Sequence, residues 1–295
     1  MFFFDLLIFS IFPVVMGLLF LSKSRLFFLT ISLGSTHSSL VFLKVRCVTI
    51  PWVKRPLNGY PNDKIKLVTL SISQLRKSLK KYDYKIILIN DGFNEADLNS
   101  ILGSGKADIL EIINTGGIGN YATFELQISK LLENSNFNYL YFAEDDYLYQ
   151  ENFVDLNLQL LNKFQYATGY YHPDYVNFNL HKSFLPKENC PQISTTCSFW
   201  TTRSVLLQDV TRLHMYRKLG DLGFWLLLTC SFRQILYRFL LCLCSPRELK
   251  LCSRILRTLF VKGSKFLFSN PRELAACYPS TSTHVDEKYV GIGWV

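Results

Sequence analysis

The sequence predicts an α/β fold, a mostly parallel sheet with helices on both faces, and three observations carry that expectation. Apolar runs of strand length alternate with stretches whose apolar residues recur at helical spacing. The runs are nearly free of polar interruption, as strands buried on both faces of a parallel sheet are. They end in "NDG", "NTGGIGN" and "AEDD", and right-handed crossovers would bring those ends to one rim.

The elements follow in order. "VRCVTI" (45–50) reads as a β-branched strand, and "PWVKRPLNGYPND" (51–63), with three prolines and a glycine, as a loop. Asp63 can cap a helix over 63–81, along which Ile65, Leu67, Val68, Leu70, Ile72, Leu75 and Leu79 form an approximate stripe. "KIILIND" (85–91) is a buried strand, a helix begins near Asn94, and "DILEII" (108–113) is the next strand. The glycine-rich turn 114–120 leads into a helix over 121–132, and "YLYFAED" (139–145) is a further strand.

The second half is less regular. "YATGYYHP" (166–173) and "STTCSFWTTRSVL" (194–206) read as strands, and "LGDLGFWLLL" (219–228) opens an apolar helical region. In a helix over 247–261, Arg247, Lys250, Arg254 and Arg257 cluster on one side; Leu249, Cys252, Ile255, Leu256, Leu259 and Phe260 occupy the other. Such a basic amphipathic helix suits the interface of an anionic membrane.

Composition narrows the classes. A 49% hydrophobic chain of 295 residues, with 24 Phe and 16 Tyr, has ample material for a core and is not disordered. The net charge of +9 is concentrated in residues 203–272, where thirteen Lys/Arg face only Asp209, Asp221 and Glu248. Because Leu, Phe and Cys interleave with these cations and no nucleic-acid motif is present, a membrane surface is the expected partner and nucleic acid is not. The eight Cys include no CxxC pair and read as reduced thiols.

Two apolar runs, 6–21 and 26–43, are each followed by Lys and Arg, and no cation precedes the first, so residues 1–43 read as an uncleaved membrane anchor. The run 224–244 is broken by Arg233 and Arg238 and is not a span.

Glu144, Asp145 and Asp146 follow a buried strand. Three adjacent carboxylates repel one another unless a cation or hydrogen-bond donors compensate, and hard oxygen donors of this kind hold Mg²⁺ or Mn²⁺ while leaving positions for substrate phosphates. Alternation along an extended strand puts Glu144 and Asp146 on one face. Ligands of open α/β sheets bind beyond the carboxyl ends of the strands, where Asp91, the turn containing Gly117 and the acidic triplet all fall. Lys54 and Arg55 follow the first strand at the same rim and could hold a diphosphate. Trp200 and Trp225 could stack on a sugar or pack in the core, and His172 and His181 have no companion in the sequence.

Taken together, "KIILINDG", "NTGGIGN" before a helix and "YLYFAEDDYLY" resemble the GT-A type glycosyltransferases, nucleotide-sugar-dependent enzymes of polysaccharide and glycolipid synthesis. The resemblance covers residues 45–295. It implies a nucleotide-sugar core at 44–206 and an acceptor-side, membrane-associating region at 207–295. In such enzymes Asp91 would contact the nucleobase, and Glu144, Asp145 and Asp146 would stand for the D-x-D motif that binds ribose and the divalent cation, Mn²⁺ or Mg²⁺. The first position of that motif is Glu here. His284, in "YPSTSTHVDEKY" (278–289), corresponds to a late metal or diphosphate ligand, and its imidazole suits Mn²⁺ better than Mg²⁺.

Asp221 is the expected general base, at a helix start, for inverting transfer to a saccharide or lipid-linked acceptor. The expected location is the cytoplasmic face of a bacterial membrane, with the Golgi membrane as the alternative. Two rivals predict other patterns. A sugar-phosphate nucleotidyltransferase would carry a glycine-rich basic loop after its first strand, which residues 51–63 do not form, and a membrane-anchored carbohydrate-binding module would leave the acids solvated.

Overall fold

A computed structural model describes residues 38–46, 63–103, 108–173, 198–243, 249–286 and 289–294. The first strand lies earlier than the sequence suggests. β1 is Ser38–Arg46, so only Val45 and Arg46 of the expected 45–50 strand belong to it. Residues 38–43, read as the end of a membrane anchor, are strand, and a domain boundary at residue 43 would cut β1. A central parallel strand is as apolar as a short membrane run, and hydropathy does not separate them. The rest of the anchor candidate lies outside the described residues, as do Lys54, Arg55 and His181. Among the described residues no helix is long and apolar enough to cross a membrane.

The next elements match the local signals closely. In α1 (Lys64–Leu79), Asp63 caps the start by accepting from the Lys66 amide at 2.9 Å, and Val68, Ile72, Leu75 and Leu79 are buried. β2 (Asp83–Asp91), α2 (Glu95–Leu102, capped by Asn94), β3 (Ile109–Asn114), α3 (Asn120–Glu133) and β4 (Tyr139–Glu144) follow.

Beyond them come β5 (Tyr147–Tyr149), α4 (Phe153–Leu161), β6 (Tyr166–Thr168), β7 (Phe199–Thr202), α5 (Arg203–Leu213), α6 (Tyr216–Thr229), α7 (Phe232–Leu243), α8 (Leu249–Lys265), β8 (Leu274–Ala276) and β9 (Ser282–His284). Both expected strands of the second half are shorter than the sequence suggests. Only Thr168 and its two predecessors pair in 166–173, because the chain turns at Gly169, where an added Cβ would lie 2.5 Å from Phe153 and 2.7 Å from Thr281. In 194–206 the strand ends at Thr202, whose hydroxyl caps α5.

Among the described residues, seven strands form one sheet in the order β3-β2-β1-β4-β7-β6-β8. β1 runs parallel to both neighbours, with Arg46 opposite Asp91 and Lys44 opposite Glu144. β7 is antiparallel to β4 and β6.

Strand alternation divides the core in two. Ile87, Ile89, Leu140 and Phe142 pack with Phe124 of α3, Leu206 of α5, Trp225 of α6 and Ile255 of α8. Ile86, Leu88, Tyr141 and Ala143 pack with α1, α2 and α4 on the other face. Trp200 and Trp225 are fully buried core residues, which removes them as sugar-stacking candidates.

The C-terminal helix differs from its expected role. Most of the expected apolar side of α8 faces the domain, with Ile255 fully buried and Leu251, Cys252 and Leu259 against the core, whereas Phe260 of that side is 71% exposed.

Candidate active site

At the carboxyl end of β2, Asn90 closes a tight turn. Its side-chain oxygen accepts from the Phe93 amide at 3.0 Å and its amide donates to the Phe93 carbonyl and to Asn114 Oδ1, both at 2.8 Å. Asp91 follows in the same register as Ile87 and Ile89, so its carboxylate lies on the α3 side. There it accepts from Thr115 Oγ1 at 2.6 Å and from the amides of Gly117, Ile118 and Gly119 at 2.8, 2.7 and 3.0 Å.

The turn can wrap around the carboxylate because Gly116, Gly117 and Gly119 have φ of +69°, +92° and +82°, a region that favours glycine. Burial pushes the Asp91 carboxyl up, but the Thr115 hydroxyl and the three amides together hold it below its ordinary value. Asp91 therefore sets the shape of the glycine-rich turn, and the Gly117 amide faces this carboxylate.

β4 ends in the acidic turn. In strand register Glu144 continues the Leu140 and Phe142 side, whereas Asp145 continues the Tyr141 and Ala143 side. Asp145 is 3% exposed and meets Lys64 Nζ, at the start of α1, at 2.8 Å. The middle acid thus fastens the turn to a helix on the opposite face.

Asp146 meets His284 instead, with Oδ2 3.2 Å from Nε2. The two are brought together by β5 and β9, which pair antiparallel with Tyr147 opposite His284 and Tyr149 opposite Ser282. A further bond from the Val285 amide to the Asp146 carbonyl, 3.0 Å, holds the register. His284 Nδ1 accepts from the Asp286 amide at 2.9 Å, so in the neutral ring Nε2 carries the proton and donates toward Asp146. Burial works against the charged ring, but Asp146, then Glu144 and Asp286, outweigh it and hold His284 above its ordinary value.

His284 also belongs to a closed circuit of rings. Centroid distances run 5.6 Å to Tyr147, 5.4 Å on to Tyr170, 5.2 Å to His172, 5.9 Å to Tyr289 and 5.8 Å back to His284. His172, which reads as isolated in the sequence, is 6% exposed here, and burial together with the His284 charge lowers it to about 3. No local signal marks it, because its neighbours come from three separate segments.

Asp221 sits where α6 is kinked at Gly220, φ +64°, and begins the second stretch of that helix. Its Oδ1 accepts from the Tyr216 hydroxyl at 2.8 Å, which in turn accepts from Asn120 Nδ2 at 3.2 Å. Asn120 is the first residue of α3, directly after the glycine-rich turn. Two hydrogen bonds therefore connect Asp221 to the segment that Asp91 shapes.

Among the described residues, no group of three or more His, Cys, Asp or Glu is arranged to enclose a metal ion. Asp146 and His284 converge as a pair, with Glu144 near enough to act on the His284 charge. Mg²⁺ and Mn²⁺ sites completed by substrate phosphates need only one or two carboxylates, and this rim fits that kind of site rather than a closed one. For His284 to offer a lone pair from Nε2, its proton would have to move to Nδ1 at the expense of the bond from Asp286.

No protein-family model matches the chain, and no curated protein matches it. Among solved structures it is similar to a galactosyltransferase, LgtC, in complex with donor and acceptor sugar analogs, with a TM-score of 0.38 and 10% identity over 81% of this chain and 73% of that one. It is also similar to a 4-diphosphocytidyl-2C-methyl-D-erythritol synthase from Anaerococcus prevotii, with a TM-score of 0.43 and 10% identity over 88% of this chain and 92% of that one. The likeness is one of fold alone. At these TM-scores it assigns no activity to the chain.

Proposed function

We propose that the chain is a metal-dependent glycosyltransferase that moves a sugar from a nucleotide-diphosphate donor to a saccharide or lipid-linked acceptor with inversion. The observation that supports this reading is the meeting of Asp146 and His284 at the carboxyl-end rim of the parallel sheet, beside Glu144. Asp146 and Glu144 would hold Mn²⁺ or Mg²⁺. When bound, the cation would offset the negative charge that develops on the departing diphosphate.

His284 would present its Nε2 proton to a diphosphate oxygen or, with the proton on Nδ1, its lone pair to Mn²⁺. Asp145, through Lys64, keeps the acidic turn in place for this. Asp91 and Gly117 would act through the glycine-rich turn, which lies at the rim where the nucleotide is expected. Lys54 and Arg55 would reach the diphosphate. Asp221, oriented by Tyr216, would take the proton of the attacking acceptor hydroxyl. Residues 1–37 would tether the enzyme to a membrane, with the cytoplasmic face of a bacterial membrane as the setting.

Donor binding tests the reading. The full chain is melted with UDP-, GDP-, CMP- and dTDP-sugars, each with and without Mn²⁺, beside Asp146→Asn. A ligand that binds only the folded state must raise the melting temperature by mass action. Stabilisation by one nucleotide class that requires Mn²⁺ and disappears in Asp146→Asn is expected. The absence of a shift with every donor, from a folded sample, would reject the transferase and favour a carbohydrate-binding module. A chain cut at residue 44 would lose most of β1 and is unsuitable.

A further inference from the structure

We propose that the outward face of α7 and α8 is a docking surface for an anionic lipid bilayer. Large exposed apolar side chains lie on these helices and just after them: Tyr237, Leu240 and Leu243 on α7 are 56, 51 and 50% exposed, Phe260 on α8 is 71% exposed, and Leu267 and Phe268, which follow α8, are 38 and 87% exposed. An apolar cluster of this size on a surface marks an interaction site, whereas single exposed side chains do not.

The geometry of the two helices makes this one face. α7 turns Ile235, Arg238 and Cys242 into the protein, and α8 turns Ile255, Thr258 and Lys262 inward. At 100° per residue, Arg233, Tyr237 and Leu240 then lie on the opposite side of α7, and Arg257 and Phe260 on the opposite side of α8. The Phe232 ring lies 3.1 Å from where a Cβ on Gly263 would be, so the start of α7 packs against the end of α8. The two helices thus pack antiparallel as a hairpin, each with an outward row.

Charge selects the occupant. Arg233, Arg254, Arg257 and Lys265 are exposed on this hairpin. Residues 232–268 contain one acid, Glu248, against eight Lys/Arg. A cationic surface carrying central aromatic side chains complements phosphate headgroups above an acyl layer. Two copies of the same face would set cation against cation, which disfavours self-association. This surface is distinct from the inner side of α8, which the core covers, and it does not depend on the reaction proposed above.

The test is co-sedimentation of the full chain with phosphatidylcholine vesicles, alone and containing about 30% phosphatidylserine, which supplies the anionic surface. Three chains are compared: unmodified, Phe260→Ser/Phe268→Ser and Arg233→Glu/Arg254→Glu. Any contribution of residues 1–37 is common to all three, so the difference between chains in the gain from neutral to anionic vesicles isolates the hairpin. The unmodified chain is expected to favour anionic vesicles, less so in high salt.

The charge-reversed chain should lose at least about tenfold of that preference, since each basic residue near an anionic surface contributes about fivefold. The Phe variant should bind anionic vesicles more weakly at an unchanged melting temperature. If that variant melts lower, the charge-reversed chain decides. Equal binding by the charge-reversed and unmodified chains, or no preference of the unmodified chain for anionic vesicles, would overturn the proposal. So would Phe260-dependent dimers without vesicle binding.

Discussion

The turn after β2 and the turn after β4 lie on one rim with β1 between them, and each presents an aspartate, yet the two are held in opposite ways. Asp91 accepts from a hydroxyl and three backbone amides, all from residues 115–119. Asp146 meets an imidazole delivered by a distant strand. Backbone amides cannot exchange protons for cations, so the first arrangement is frame. A titratable ring can, so the second can change its ligands. Within the acidic turn the same contrast recurs, because Asp145 faces Lys64 while its neighbour faces His284.

Removing Asp91 or Asp145 should cost most. Asp91→Ala leaves three turn amides without their acceptor and should destabilise by about 3 kcal/mol in urea unfolding, the scale of losing charge-assisted hydrogen bonds in a buried site. Asp91→Asn should cost less, since one acceptor oxygen remains while its NH₂ opposes an amide.

The adjacent acids should separate stability from binding. Asp145→Asn breaks the ion pair with Lys64 in a site where Asp145 is 4% and Lys64 13% exposed by side chain, and should destabilise by about 3 kcal/mol. Asp146→Asn, in the more open pair, should cost about 1 kcal/mol or less. Its effect should appear as a loss of about 100-fold in Mn²⁺-dependent donor binding by titration calorimetry, the upper scale seen when support of a metal site is removed. Equal stability losses in the two variants would break the comparison.

The smallest effects concern pH, and they sharpen it. His172, lowered to about 3, stays neutral when folded, whereas the unfolded chain takes up its proton near 6.5. Stability should therefore fall as pH drops from 6.5 toward 3, and His172→Phe should remove that part of the slope. His284 is raised, so its contribution is complete below 6.5 and is lost as pH rises through its folded value. Urea midpoints at about pH 5 and about pH 8 for His172→Phe and His284→Phe should show slope changes of opposite sign.

From Asp63 to Glu144 the sequence was legible almost to the residue. The cap at Asp63, the cap at Asn94 and the end of β2 at Asp91 depend on neighbours a few positions away, and strand alternation already separates Glu144 from Asp145. Legibility ends where partners are remote. β5, β8 and β9 have three residues each, too few for a period to show, and they exist because distant strands pair with them. The buried carboxylate of Asp209, which accepts from Tyr166 and Arg272, was equally hidden because both donors are far along the chain.

What the sequence determined by itself was the alternating α/β order, the acidic strand end, the glycine-rich turn and the placement of Asp221 at a helix start, since each is written in local spacing and residue type. Tertiary structure decided that β1 lies at 38–46, that the inner side of α8 meets the core, that Asp91 shapes a turn, and that His284 and His172 gather at the acidic rim. Those outcomes depend on which surfaces meet, and a pairing or a burial is a property of two segments that neither encodes alone.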